Sequence, residues 1–209
     1  MNPVPTSPLS RRALLRLGAL GALSAGTAAT LAACTSNNSL VQQYNNGSDK
    51  NYISGDGSVE EFKPSARKDP IEFSSTTEHG KTITRKQFEG KVVVLNFWYA
   101  SCPPCRAEAP ALESLAKKYA GKAQFIGVNV RDEADTAIAF ERSFKVTYPS
   151  VIDATDAKVQ LALAGQRGPN ATPTTIVLDQ KGRVAARVLG EINKSILDTL
   201  ISDTVSEAQ

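Results

Sequence analysis

The chain has 209 residues and three cysteines, Cys34, Cys102 and Cys105, which leaves room for one domain with a real core and too little for two large ones. Its 24 basic residues exceed its 21 acidic ones only through Arg11, Arg12 and Arg16, which precede Cys34 with no acidic residue among them. Beyond that segment the charges balance, so the basic patch that a nucleic-acid partner requires is not indicated.

Residues 1–33 read as an address. A polar, proline-rich start leads to Ser10-Arg11-Arg12-Ala13-Leu14-Leu15-Arg16, then to an apolar stretch from Leu17 to Ala33. A basic start, an apolar middle and small residues at the end make a signal peptide. The stretch is short and weakly apolar for a spanning helix, which needs about 20 strongly apolar residues. Leu31-Ala32-Ala33-Cys34 resembles a bacterial lipobox, in which the cysteine is lipidated and becomes the first residue of the mature chain. The arginine pair resembles a twin-arginine export signal, with Leu14 where Phe is commoner and Arg16 where Lys is commoner. A plain cleaved signal with an incidental cysteine is the alternative.

Residues 34–69 are rich in Ser, Asn, Gly and charge, without sustained apolar periodicity. They predict a flexible tether, spanning about 30–35 Å if fully flexible. The less polar patch from Tyr52-Ile53 to Phe62 is a candidate for docking on the domain.

The regular patterns occupy residues 70–209. Ile71 to Ser74 alternates as a strand does, Glu78 to Lys81 forms a turn with His79 exposed, and Thr82 to Thr84 makes a second short strand. Lys91 to Trp98 is a nearly continuous apolar run, as in a central strand buried on both faces. Ala107 to Tyr119 predicts a helix whose anchors are Leu112, Leu115, Ala116 and Tyr119, stopped by Gly121. A strand over 124–130 and a helix over 134–144, anchored by Ile138, Phe140 and Phe144, come next. Val159 to Ala164 is a short helical piece. Strands over 174–178 and 183–188 flank a turn at Asp179-Gln180-Lys181-Gly182, and a helix over 192–201 closes the chain. This order predicts an α/β fold with a central mixed sheet flanked by helices and an N-terminal β extension.

The chemistry concentrates where the buried strand runs into Cys102-Pro103-Pro104-Cys105 at a helix start. Unpaired N–H groups and the helix dipole favour an anion there, so the Cys102 thiol should ionise below the usual value of about 8.5. Cys105 lies one helical turn on, within disulfide reach. Prolines at the first helical positions forfeit no hydrogen bond. Cys102 would attack a substrate disulfide, and Cys105 would then resolve the mixed disulfide. Other uses of the pair fit less well. Zinc wants four ligands, and the chain offers this pair and a lone His79. A structural disulfide closing so short a loop constrains the unfolded chain little. A peroxidase would attack with a single cysteine in another setting. Copper delivery would want further His or Met ligands.

Trp-x-x-x-Cys-Pro-Pro-Cys-x-x-Glu-x-Pro, from Trp98 to Pro110, resembles the TlpA/ResA branch of the thioredoxin-like superfamily, membrane-tethered thiol–disulfide oxidoreductases outside the cytoplasm. The resemblance covers roughly residues 71–205. It implies a thioredoxin-like fold, catalysis by Cys102 and Cys105, and Glu108 as the group that tunes the thiols and moves the resolving proton. It further implies a cis Thr172–Pro173 bond beside the cysteines, with the Thr172 backbone open to a substrate strand. Trp98, Pro103 and Pro104 complete the expected substrate surface. No metal and no cofactor beyond the redox-active disulfide is expected. The implied partners are exported proteins with disulfides, such as apocytochrome c, and a thiol-transferring membrane electron donor. The protein would act as a lipid-anchored monomer on the outer face of a bacterial cytoplasmic membrane.

Two positions depart from the pattern. Thioredoxins place a buried Asp where this chain has Asn96, which cannot carry a proton as a carboxylate does. Many relatives have Trp where this chain has Ser101, which alters the rim and the choice of partner. A disulfide-forming oxidase of the same fold, and a non-catalytic binding lipoprotein, remain as alternatives.

Overall fold

The computed structural model describes residues 58–207. The signal segment, Cys34 and the first part of the expected tether lie outside the described residues. Strands run β1 Val59–Glu61, β2 Ser74–Thr76, β3 Thr82–Thr84, β4 Val92–Trp98, β5 Ala123–Asn129, β6 Ser150–Ile152, β7 Thr174–Leu178 and β8 Val184–Leu189. Helices are α1 Pro103–Lys118, α2 Ala134–Phe144, α3 Lys158–Ala162 and α4 Lys194–Ser206. Six strands form one sheet in the order β1-β8-β7-β4-β5-β6, and β2 and β3 form a separate hairpin. The pairs β4–β5 and β5–β6 are parallel, whereas β7 and β8 run antiparallel to their neighbours. The sheet is mixed and flanked by helices, as the sequence predicts.

β4 explains where the site must be. All seven of its residues are buried, and their alternation divides the two cores. Val92 and Val94 meet Leu112 and Leu115 of α1 and Leu197 and Ile201 of α4. Val93, Leu95 and Phe97 face Ile71, Phe73 and Ile83 on the other side, together with Val159 and Leu163 around α3. With a period of two, Asn96 and Trp98 continue the Val92–Val94 face at the strand's C-terminal end. That end leads directly into the start of α1.

Several boundaries differ from expectation. The expected tether over 34–69 ends earlier, because Val59–Glu61 pairs antiparallel with Ala186–Val188 and Arg67 is tied to Asp179 and Glu207. Ile71 and Phe73 are buried as the alternation predicts, but pairing begins only at Ser74. β6 has no counterpart among the expected strands; three residues between Pro149 and Asp153 carry too short a pattern to read. On α2 the buried residues are Ala137, Phe140 and Glu141, so Glu141 shares the face assigned to apolar anchors.

Candidate active site

Cys102 caps the N-terminus of α1, and its sulfur accepts a hydrogen bond from the Cys105 N–H at 3.2 Å. Pro103 and Pro104 fill the first two helical positions, where a missing N–H costs nothing. Cys102 and Cys105 are joined by a disulfide with their Cα atoms 5.3 Å apart. Both are buried, at 1% and 2% exposure, while Ser101 and Pro103 are exposed and Pro104 is half-buried.

The loop before Cys102 is held from two sides. The Ala100 N–H donates to Asp132 Oδ2 at 2.6 Å, and Asn129 Nδ2 donates to the same oxygen at 2.9 Å. The Ala100 carbonyl accepts from Arg106 Nη1 at 3.2 Å. The Arg131 guanidinium stacks 4.0 Å from the Tyr99 ring. Sequence reasoning missed this brace, because Asn129 and Asp132 sit a strand away from the cysteines.

Glu108 is 2% exposed. Asn96 Nδ2 donates to its Oε1 at 2.8 Å, and the Ile192 N–H donates to its Oε2 at 2.9 Å. Asn96 also donates to Thr175 Oγ1 across the β4–β7 ladder at 3.1 Å. Burial pushes the Glu108 carboxyl up to about 7, against the two hydrogen bonds, and the charge of Glu191 adds to the rise. No cation among the described residues offsets the loss of water. Asn96, at the position noted as a departure, thus orients a carboxylic acid instead of being one.

Trp98 is 4% exposed and stacks on Phe140 with ring centroids 4.2 Å apart; Phe140 in turn stacks on Phe144. It forms the floor beneath the cysteines. The Thr172–Pro173 bond is cis. Pro173 is buried, Thr172 is half-buried, and no backbone hydrogen bond of Thr172 is formed among the described residues. His79 is exposed in its turn, with Nε2 3.5 Å from Glu78 Oε1. Among the described residues no cluster of His, Cys, Asp and Glu has the arrangement of a metal site.

Behind Cys105 lies a small cavity with room for about one water molecule, lined by Asn96, Trp98, Cys105, Glu141, Tyr148 and Ser150 among others. Gly127 lies against Trp98 and Ser150 of this lining. A Cβ there would lie 2.7 Å from Trp98 Nε1 and would collide with Ser150 Oγ.

Residues 60–201 match the model of the Redoxin family. The chain belongs to that family. It is 34% identical over 132 residues to the thiol-disulfide oxidoreductase ResA of Bacillus thuringiensis, covering 63% of this chain and 73% of that protein. It is 32% identical over 136 residues to the thioredoxin-like protein YneN of Bacillus subtilis, covering 61% and 73%. Among solved structures it resembles a DsbF homologue from Corynebacterium diphtheriae, with a TM-score of 0.64 and 28% identity over 75% of this chain and 99% of that one. This Redoxin-family chain is a thioredoxin-like thiol–disulfide oxidoreductase of the ResA type, and a Cys-x-x-Cys capping a helix is the geometry that dithiol–disulfide exchange requires.

Proposed function

We propose that the protein is a lipid-anchored reductase of exported proteins, working on the outer face of a bacterial cytoplasmic membrane. The observation that carries the redox reading is Cys102 at the helix N-cap, its sulfur already accepting a backbone N–H. A thiolate there would be stabilised by the same donor and by the helix dipole. Cys102 attacks the substrate disulfide, and Cys105 resolves the mixed disulfide. Glu108 tunes the pair from behind Asn96. The Thr172 backbone pairs with the substrate strand, Pro103 and Pro104 meet it at the surface, and buried Trp98 and Pro173 shape that surface from beneath. The disulfide itself is the sole redox group. A membrane thiol-transfer protein returns the electrons, and apocytochrome c is a fitting substrate. Its likeness to ResA proteins supports this direction. The signal segment and Cys34 support the location and the anchored state.

Measuring the reduction potential tests the direction. A value near the thioredoxin one, about −270 mV, is expected; a value near about −120 mV, as for a strong oxidant, would overturn it. The anchor is tested separately. Cys34→Ala should move the protein from the membrane fraction to the soluble fraction, and retention in the membrane would refute lipidation.

A further inference from the structure

The exchange reaction needs somewhere for the Cys105 proton to go. Cys105 is buried, so bulk water does not reach it directly. Glu108, one turn away on α1, has both oxygens engaged, by Asn96 and by the Ile192 N–H, and it is not among the residues that line the cavity behind Cys105. The carboxyl that does line it is Glu141, on the buried face of α2. Glu141 is 9% exposed, and its Oε1 is buried without a hydrogen-bond partner. Ser150 Oγ, on the cavity's β6 wall, also lacks a well-formed hydrogen bond, although it lies near enough to Glu141 to act on its carboxyl. A buried polar atom without a partner is unfavourable, and a water in a polar cavity relieves that cost with two or more bonds. We propose that Glu141 relays the proton of the resolving thiol across this cavity through one bridging water.

The surroundings suit that task. The polar and titratable groups that share the cavity with Glu141 or act on its charge are Cys105 from α1, Asn96 from β4, Tyr148 just before β6, Ser150 on β6, and Glu78 from the β2–β3 turn. Burial holds the Glu141 carboxyl up at about 7; Ser150 lowers it somewhat, and the charge of Glu78 raises it further. A group that both takes and gives a proton near neutral pH is the best relay. Glu78 leads outward. Its Oε2 accepts the Ser150 N–H at 2.9 Å, and its Oε1 lies 3.5 Å from Nε2 of exposed His79. In the resolving step the Cys105 S–H proton passes to the water while the water gives one to Glu141. The Cys105 sulfur bonds to the Cys102 sulfur, and the Cys102–substrate S–S bond breaks. The substrate leaves as a thiolate, having gained two electrons that Cys102 and Cys105 have lost. Reduction of the protein runs the same path backwards, with Glu141 protonating the departing Cys105 sulfur. The inference rests only on dithiol–disulfide exchange, not on location or direction.

The reduced full chain, mixed with an aromatic disulfide such as 5,5′-dithiobis(2-nitrobenzoate), separates the two steps. A first aryl thiolate marks attack by Cys102, and a second marks resolution by Cys105. In Glu141→Gln the second phase should slow by on the order of tenfold near pH 7, and its rise should move to higher pH, with the first phase unchanged. Glu141→Asp should recover part of the rate. A second-phase pH profile in Glu141→Gln that superimposes on wild type would overturn the proposal. Loss of the first phase as well would show instead that the exchange site itself had failed. Should Glu141→Gln not fold, Glu78→Gln serves. Removing that charge lets Glu141 ionise more readily, so the second-phase rise should move to lower pH, and an unmoved profile would overturn the relay.

Discussion

Two regions of this molecule bury carboxyl groups, and they treat them in opposite ways. At the turn between β7 and β8, Asp179 is as buried as Glu108. Its Oδ2 accepts from Arg67 Nη1 at 3.1 Å and from Arg183 Nε at 2.8 Å, and its Oδ1 accepts the N–H groups of Lys181 and Arg183 at 3.0 and 2.9 Å. Arg67 extends the cluster with a bidentate grip on Glu207. Burial alone would raise the Asp179 carboxyl, but the donors from Arg183 and Arg67 outweigh it and hold the group below its ordinary value. At the redox end, Glu108 and Glu141 have lost water without gaining a cation, and both sit at about 7. Low exposure therefore accompanies a fixed charge in one place and an exchangeable proton in the other, and the arginine partners of Asp179 set the two apart. The ion cluster is scaffold, and it secures residues 58–69 against the domain. The redox end carries the groups whose charge can change during a reaction.

The largest break in this contrast comes from the scaffold. Asp179→Ala leaves Arg67, whose side chain is 1% exposed, with one carboxylate fewer. Removing one partner of a buried pair costs about 3–5 kcal/mol. Urea denaturation should show that loss, while disulfide exchange by the folded fraction stays at the wild-type rate. A stability within about 1 kcal/mol of wild type would show that the cluster behaves as a surface pair.

The second break concerns the sign of the pH dependence. For Glu108 the folded-state value lies above the ordinary 4.5. Its contribution to stability is therefore complete below pH 4.5 and is lost as pH rises through about 7. Asp179 behaves oppositely: its folded value is depressed below 3.8, so its contribution is present above that pH and is lost as pH falls through the folded value. In the oxidised protein Cys102 and Cys105 do not titrate, which removes the thiols of the site from the comparison. Glu108→Gln should flatten the decline in stability between pH 5 and 8 by about 2.5 kcal/mol, since each tenfold weakening of acidity on folding is worth about 1.4 kcal/mol. Denaturation curves at those two pH values provide the check. An unchanged decline would mean that Glu108 is ionised in the fold.

Much of this arrangement can be read from the sequence, and the limit has a physical cause. The Val92–Trp98 run announces a central strand because every residue in it is buried, and the Cys-Pro-Pro-Cys announces a helix start because proline fits there. The family resemblance implies a cis Thr172–Pro173 bond, and the bond is cis. Glu108 stands within a recognisable pattern. Glu141 does not. On α2 it looks like a solvated charge, and only its spacing from Ala137 and Phe140 hints that it faces inward. Its neighbours in space, Cys105 and Ser150, come from elements brought together by packing. The same holds for β1, where Val59 and Glu60 are buried only because β8 lies beside them and Arg187 meets Glu60 at 3.2 Å.

The smallest expected effect compares a glycine from each region. Gly127, beside the cavity, admits Trp98 Nε1 and Ser150 Oγ; Gly182, in the β7–β8 turn, has φ +87° and lies against the Arg85 guanidinium. Alanine at Gly127 is opposed by crowding alone, whereas alanine at Gly182 meets both crowding and a left-handed backbone. Each change should cost about 1–3 kcal/mol. The chain has one tryptophan, so emission reports the redox end selectively. Gly127→Ala should shift the Trp98 emission and slow exchange, because the added methyl takes the space between Trp98 and Ser150. Gly182→Ala should lower the melting temperature with emission and exchange rate unchanged, because Arg85 touches the turn and not the cysteines. Equal emission changes in the two variants would mean that the regions are mechanically coupled through β7, and the separation of scaffold from redox chemistry would then fail.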